Sequence, residues 1–427
     1  MRRLTNGRPP ITALAVSLLL ACGPNPPPPV RIMALVPDET GTLASREVEL
    51  NTVDNVVSLK GATINFIGTS RVVVSGTDPL QQNLPALTPE ERYQVIVKDR
   101  GADVRGHYIE RGDVLWPADF HTWNMVSAYY NFERAQSYFN GLYDRANEYL
   151  PLNVHYWSDV RLNSAEALKD NALYLSFINS FVLVPFETQQ RSPLAMNLGV
   201  VTHETAHRVF NYKVLRNQGL PTPILQWNNF PQAFNFLKSL DEGLADFHGF
   251  GATCYDPAGC RPNFLAESID DERFTNMRNL ARTDACMSDE LKAQLEGATQ
   301  AAWTSSTRMY EVGNLVAAAL YQAGNTAGPI EVLQRALIAA YDDESPSNRG
   351  LRQLIESAEA NPAIFTPEAV TNVIAGHIQE NRLRQHVCSQ LAARLRLRCA
   401  SSPCIGLDGV TDELPKCDQA PITVNCP

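Results

Sequence analysis

None of the nine cysteines stands in C-x-x-C spacing, which argues against a cysteine zinc site. Basic residues are outnumbered, 36 Lys and Arg against 46 Asp and Glu, and the formal charge of −10 argues against nucleic acid or anionic membrane surfaces as partners. The apolar run Ile11 to Ala21 is too short to span a bilayer as a stable helix, and no internal repeat recurs. Histidine is scarce, with eight in 427 residues. What remains, 44% hydrophobic and 19% charged, is ordinary globular composition with room for more than one domain.

The chain opens MRRLTNGRPPITALAVSLLLACG, in which Arg2, Arg3 and Arg8 form a basic n-region before the apolar run. Its end, LLAC, resembles the lipobox of bacterial lipoproteins, which implies Cys22 as the lipid-carrying residue. Leu20 is less favoured at its lipobox position, so cleavage by an ordinary signal peptidase stays open. Residues 1–21 then read as a signal peptide and 22–31 as a proline-rich tether, GPNPPPPV favouring extended polyproline II. The implied address is an exported lipoprotein, anchored to the membrane of the bacterial cell envelope. Setting Cys22 aside leaves eight cysteines, an even number suited to an oxidising compartment. They fall into two odd groups, three from Cys254 to Cys286 and five from Cys388 to Cys426. If all eight pair, at least one bridge joins the middle of the chain to its tail.

Residues 32–112 read as a small β-rich region: REVELNTVDNVVSLKGATINFIGTSRVVVSG alternates apolar and polar, and YQVIVKD and HYIERGDVLW continue it. From residue 122 to 150 aromatic and aliphatic residues recur at helical spacing, as expected of core packing. Two strand-like runs follow, at 153–160 and 172–186. Then come two helices, LAMNLGVVTHETAHRVFNYKVL and QAFNFLKSLDEGLADFHGFGA, with a loop-rich stretch at 216–231 between them. Residues 113–299 hold these elements, 300–398 read as mainly helical, and 399–427 as a Cys- and Pro-punctuated tail.

The segment GVVTHETAHRVF (199–210) places His203 and His207 four apart, hence on one helix face, with Glu204 beside them. That is the H-E-x-x-H arrangement of zinc hydrolases. A catalytic zinc takes three protein ligands and keeps one position open for water. Thirty-five residues past His207, SLDEGLADFHGF supplies Glu242 as third ligand and, four residues on, Asp246 to hold a ligand imidazole through its other ring nitrogen. His248 points elsewhere on that helix and reads as a packing residue.

Together these motifs resemble the gluzincin zinc metallopeptidases, the clan of thermolysin and aminopeptidase N, in which HExxH is followed by a second helix with E-x-x-x-D. DEGLADFHG is similar to the thermolysin-type second motif, Gly249 included. The resemblance spans about residues 120–325, and the longer gap between motifs implies an inserted loop around LRNQGLPTPILQWNNF. It implies a zincin-like catalytic domain, a mixed sheet plus an active-site helix, holding one Zn2+ per chain on His203, His207 and Glu242. Glu204 would act as general base. RMYEVG resembles the Y-E-x-G segment of the aminopeptidase side of the clan, implying Tyr310 as oxyanion donor, and a phenol with a pKa near 10 suits that task. Asn171–Ala172, in DNALYLSF, resembles the substrate strand of thermolysin, implying that a peptide adds there as an antiparallel strand. The G-x-M-E-N motif that captures a free amino terminus is absent, which points to an endopeptidase.

The expected fold class is α+β: a small β-rich N-terminal region, a zincin-like domain and a mainly helical C-terminal part. The expected function is hydrolysis of protein or peptide substrates by a zinc enzyme. Two alternatives stay open: a zinc hydrolase of a non-peptide bond, and a non-catalytic envelope lipoprotein that keeps the fold as a scaffold. Open too is whether residues 32–112 are an inhibitory extension or part of the mature cleft.

Overall fold

The computed structural model describes residues 28–81, 84–144, 150–163, 166–187, 190–216, 227–345 and 349–397. The signal region, Cys22, most of the inserted loop and the Cys-rich tail lie outside the described residues. The protein is α+β.

Among the described residues three sheets carry the strands, and their pairing ties the N-terminal region to strands from later in the chain. β1 (Val30–Pro37) takes in the last two tether residues and pairs with β2 (Leu43–Leu50) and β10 (Val114–Pro117), which also pairs β9 (Tyr108–Arg111). The largest sheet is built on β3 (Val53–Asn55), β4 (Lys60–Gly61), β5 (Ile64–Gly68), β11 (Leu152–Tyr156), β13 (Ala172–Leu175) and β14 (Ser180–Leu183). Its order is β13-β14-β11-β5-β4-β3, with β8 (Ala102–Asp103) against β5. β14, β11 and β5 run parallel, and β13 closes the edge antiparallel to β14. β5 thus lies next to β11, a strand from beyond residue 150. A third sheet joins β6 (Arg71–Val74), β7 (Val97–Asp99) and β12 (Asp159–Leu162).

Two sequence expectations change. YQVIVKD is not all strand: α1 (Pro89–Ile96) takes its first half, leaving only β7. Thr88 caps it through the Glu91 N–H while Glu91 reaches back to the Thr88 N–H, with proline at the first position, and this reciprocal cap outweighs the β-branched content. The run 172–186 is not one strand but the β13–β14 hairpin, reversed through a short 3-10 turn ending at Asn179 in the left-handed region (φ 45°). The reversal brings residue 172 to an open sheet edge.

α2 (Phe120–Leu142) packs its aromatic stripe under the sheets; Ser127 accepts the Leu35 N–H, and Glu133 accepts the N–H groups of Asn51 and Thr52. It ends at Tyr143 rather than residue 150. α3 (Leu198–Lys213) and α4 (Pro231–Thr253) lie side by side, flanked by α5 (Glu272–Met277), α6 (Asp289–Gly297) and α7 (Gln300–Thr304). α8 (Arg308–Ala327) packs along α4, followed by α9 (Ile330–Asp342), α10 (Leu351–Ala358), α11 (Pro367–Gly376) and α12 (Asn381–Leu395). Cys254 and Cys260 form a disulfide just past α4, and Cys286 is also disulfide-bonded. Among the described residues no helix is long and apolar enough to cross a membrane.

Candidate metal centre

Asn197 caps α3 by accepting the N–H groups of Gly199 and Val200, which fixes where the helix starts and so which face it turns inward. That face carries His203 and His207, and α4 lays Glu242 opposite them. The imidazole Nε2 atoms stand 3.0 Å apart, and Glu242 Oε2 lies 3.4 Å from the first and 3.7 Å from the second. His203, His207 and Glu242 can each offer a ligand atom within 4.8 Å of the others.

The outer nitrogens decide what faces the centre. His203 Nδ1 lies 2.9 Å from Asp246 Oδ1, and His207 Nδ1 lies 2.8 Å from Asp241 Oδ1. A carboxylate only accepts, so each Nδ1 donates to its aspartate and each Nε2 is the ring position left facing the centre. Glu242 Oε2, buried and without a hydrogen bond, faces the same point. A buried carboxylate oxygen left without a hydrogen bond is costly unless a cation lies against it. Two imidazoles and one carboxylate are a donor set that suits zinc and other divalent transition metals. The residues fit such an ion.

The charges follow. Burial pulls His203 and His207 toward the neutral form, but Asp246 and Glu242 outweigh it for His203, and Asp241 and Glu242 for His207, so both pKa values are raised. Burial alone would raise Glu242, yet the two histidines hold it well below the usual carboxylate range. Burial raises Glu204, with the histidines only partly offsetting it. Glu204 does not join the cluster: Oε1 is 4.0 Å from His203 Nε2, and Oε2 accepts the Tyr174 N–H of edge strand β13 at 2.7 Å.

These groups open into a cleft of about 470 Å³ lined by both motif helices, β13 and Tyr310. Tyr310 enters from the first turn of α8, its pKa raised by the Glu242 carboxylate and by burial, so the phenol stays protonated. Asn171 and Ala172 line the same cleft, and Asn171 Oδ1 accepts the Ala172 N–H at 2.8 Å. His248 faces away, fully buried against Tyr138, whose hydroxyl lies 2.9 Å from Nδ1. Cys22 lies outside the described residues.

Two residues escaped the sequence reading. Asp241 adjoins Glu242 in SLDEGLAD, so its charge was visible there, but its reach back to His207 depends on how α3 and α4 cross. Arg278, just past α5, has no local signature. It clamps Asp246 with two bonds, Nε to Oδ2 at 3.0 Å and Nη2 to Oδ1 at 2.5 Å, and lies over the Tyr310 ring at 4.5 Å.

No protein-family model matches the chain, and a search of curated proteins finds no match.

Proposed function

We propose that this protein is a zinc-dependent endopeptidase, exported and lipid-anchored through Cys22 in the bacterial cell envelope. The observation that carries the reading is the convergence of His203, His207 and Glu242 on one point, with the unligated Glu204 beside it against an open sheet edge. Zinc on those three residues would polarise a scissile carbonyl and lower the pKa of a bound water to about 7. Glu204 Oε1 takes a proton from the attacking water and passes it to the leaving amine nitrogen. The Tyr310 hydroxyl donates to the tetrahedral oxygen. β13 orients the chain to be cut: its open edge bonds an added strand, and the Tyr174 N–H keeps Glu204 from swinging away.

The test uses the soluble form from residue 23. Wild type is expected to bind zinc at unit stoichiometry and to cleave casein or a quenched peptide, with chelator abolishing cleavage. Glu204→Gln is expected to keep the zinc and lose at least about a thousandfold in kcat, as befits removal of a base in a centre it does not build. Zinc without peptide cleavage in wild type would favour a hydrolase of another bond; absence of zinc binding would favour a scaffold. Mass spectrometry of the native N-terminus reads the lipid on Cys22.

A further inference from the structure

At the end of the large sheet where β11 and β14 finish, four aromatic side chains gather at the surface. Phe120, 45% exposed at the start of α2, lies 6.3 Å from the Trp157 ring and 6.1 Å from Phe186, and His121 stands edge-on to Trp157 at 4.8 Å. Trp157 holds a left-handed backbone (φ 56°), which a bulky residue rarely adopts, and its N–H donates to Leu183 O at 2.7 Å. Charged residues adjoin the shelf along the chain: Glu187, paired with Lys169 at 2.6 Å, follows Phe186, and Asp119, the cap of α2, precedes Phe120. Exposed aromatic surface beside polar residues is suited to taking up an apolar side chain.

Its position says for what. Past β13 the hairpin ladder continues backward: Val184 N–H donates to Asn171 O at 3.2 Å, and Asp170 N–H to Pro185 O at 3.0 Å. Asp170 and Asn171 line the cleft, and Phe186 follows Pro185 directly. The shelf thus begins where the cleft-lining edge ends. Tyr174, which holds Glu204, lies four residues from Asp170, roughly 13 Å at about 3.3 Å per residue. A strand added antiparallel to β13 runs the opposite way, so the part passing Asn171 and Asp170 is its C-terminal half.

We infer that Phe120, His121, Trp157 and Phe186 bind the C-terminal side of an extended polypeptide substrate, gripping an apolar side chain about four to six residues beyond the cleaved bond. The inference rests on the peptidase reading. It makes the substrates long, flexible segments of protein rather than di- or tripeptides. The acidic balance of the chain disfavours an anionic lipid surface as the occupant.

Two quenched peptides share one sequence around the cut. One ends three residues after it; the other continues for eight, with phenylalanine fifth. Wild type is expected to show kcat/KM about tenfold higher on the long peptide, a difference equal to about 1.4 kcal/mol. Phe120→Ala and, separately, Phe186→Ala should bring the ratio close to one. Val332→Ala, another exposed apolar residue, on α9, should leave it unchanged. Ratios unaltered in both shelf variants overturn the inference alone, as does a ratio unaltered while binding to phosphatidylglycerol vesicles is lost. Cleavage of neither peptide by wild type overturns this inference and the peptidase reading together.

Discussion

Asp241 and Asp246 do the same job for different imidazoles, yet their surroundings differ enough to separate them. Asp241 is partly exposed beside Lys238, at 3.8 Å, whereas Asp246 is 1% exposed and carries the buried charge of Arg278. Asp241→Asn is expected to weaken zinc affinity about 10- to 100-fold with little change in the melting temperature of the metal-free protein. Asp246→Asn should weaken zinc similarly and also cost about 3 kcal/mol, because Arg278 is left without its clamp. Zinc competition and urea unfolding of both variants check this pair. Tyr310→Phe keeps the ring under Arg278 and removes only the donor, so kcat should fall about a hundredfold while KM stays within a few-fold. His155 tests the core instead. Burial lowers its pKa to about 4, so in the folded protein it stays neutral while an unfolded histidine takes a proton below about 6.5. Its contribution is complete above pH 6.5 and shrinks as pH falls toward 4. Stability of wild type minus that of His155→Gln should drop by about 1.4 kcal/mol per pH unit in that window.

At the scale of elements, glycine sets the distances on which the centre depends. A Cβ at Gly243 would sit 2.3 Å from the Gly313 carbonyl oxygen of α8, and one at Gly249 would sit 2.7 Å from the Gly199 carbonyl oxygen of α3. These glycines let α4 approach α8 on one side and α3 on the other, bringing Glu242 to Tyr310 and to the histidines. Alanine would add about 1 kcal/mol of helix propensity at Gly243, but the contact is with backbone that cannot turn aside, and overpacking of this kind costs about 1–3 kcal/mol. Overlap wins: Gly243→Ala is expected to lower the melting temperature and to weaken zinc, read by calorimetry and metal titration. The glycines of DEGLADFHG and RMYEVG were plain in the sequence. Which glycine meets which was not, because helix periodicity names a face but not its partner.

At the scale of the whole molecule, the N-terminal strands are structural members of the site's own sheet. β5 lies between β11 and β4, with Ile64 and Phe66 fully buried. A chain starting at residue 113 would leave one side of β11 with unpaired backbone groups and strip one face of α2. Such a truncation is expected to give no cooperative thermal transition by circular dichroism, whereas a removable inhibitory extension would leave a folded remainder.

Local chemistry wrote several features directly into the chain: the α+β class, the helical spacing of His203 and His207, and the Glu242–Asp246 interval. Each depends on the period of one helix or strand, which a short stretch of residues carries by itself. The pairing of Asp241 with His207, the clamp of Arg278 on Asp246, the place of β5 inside the sheet and the aromatic shelf beyond the cleft came from elsewhere. They join residues dozens of positions apart, and they exist because packing of separate elements, not the propensity of any one of them, sets those distances.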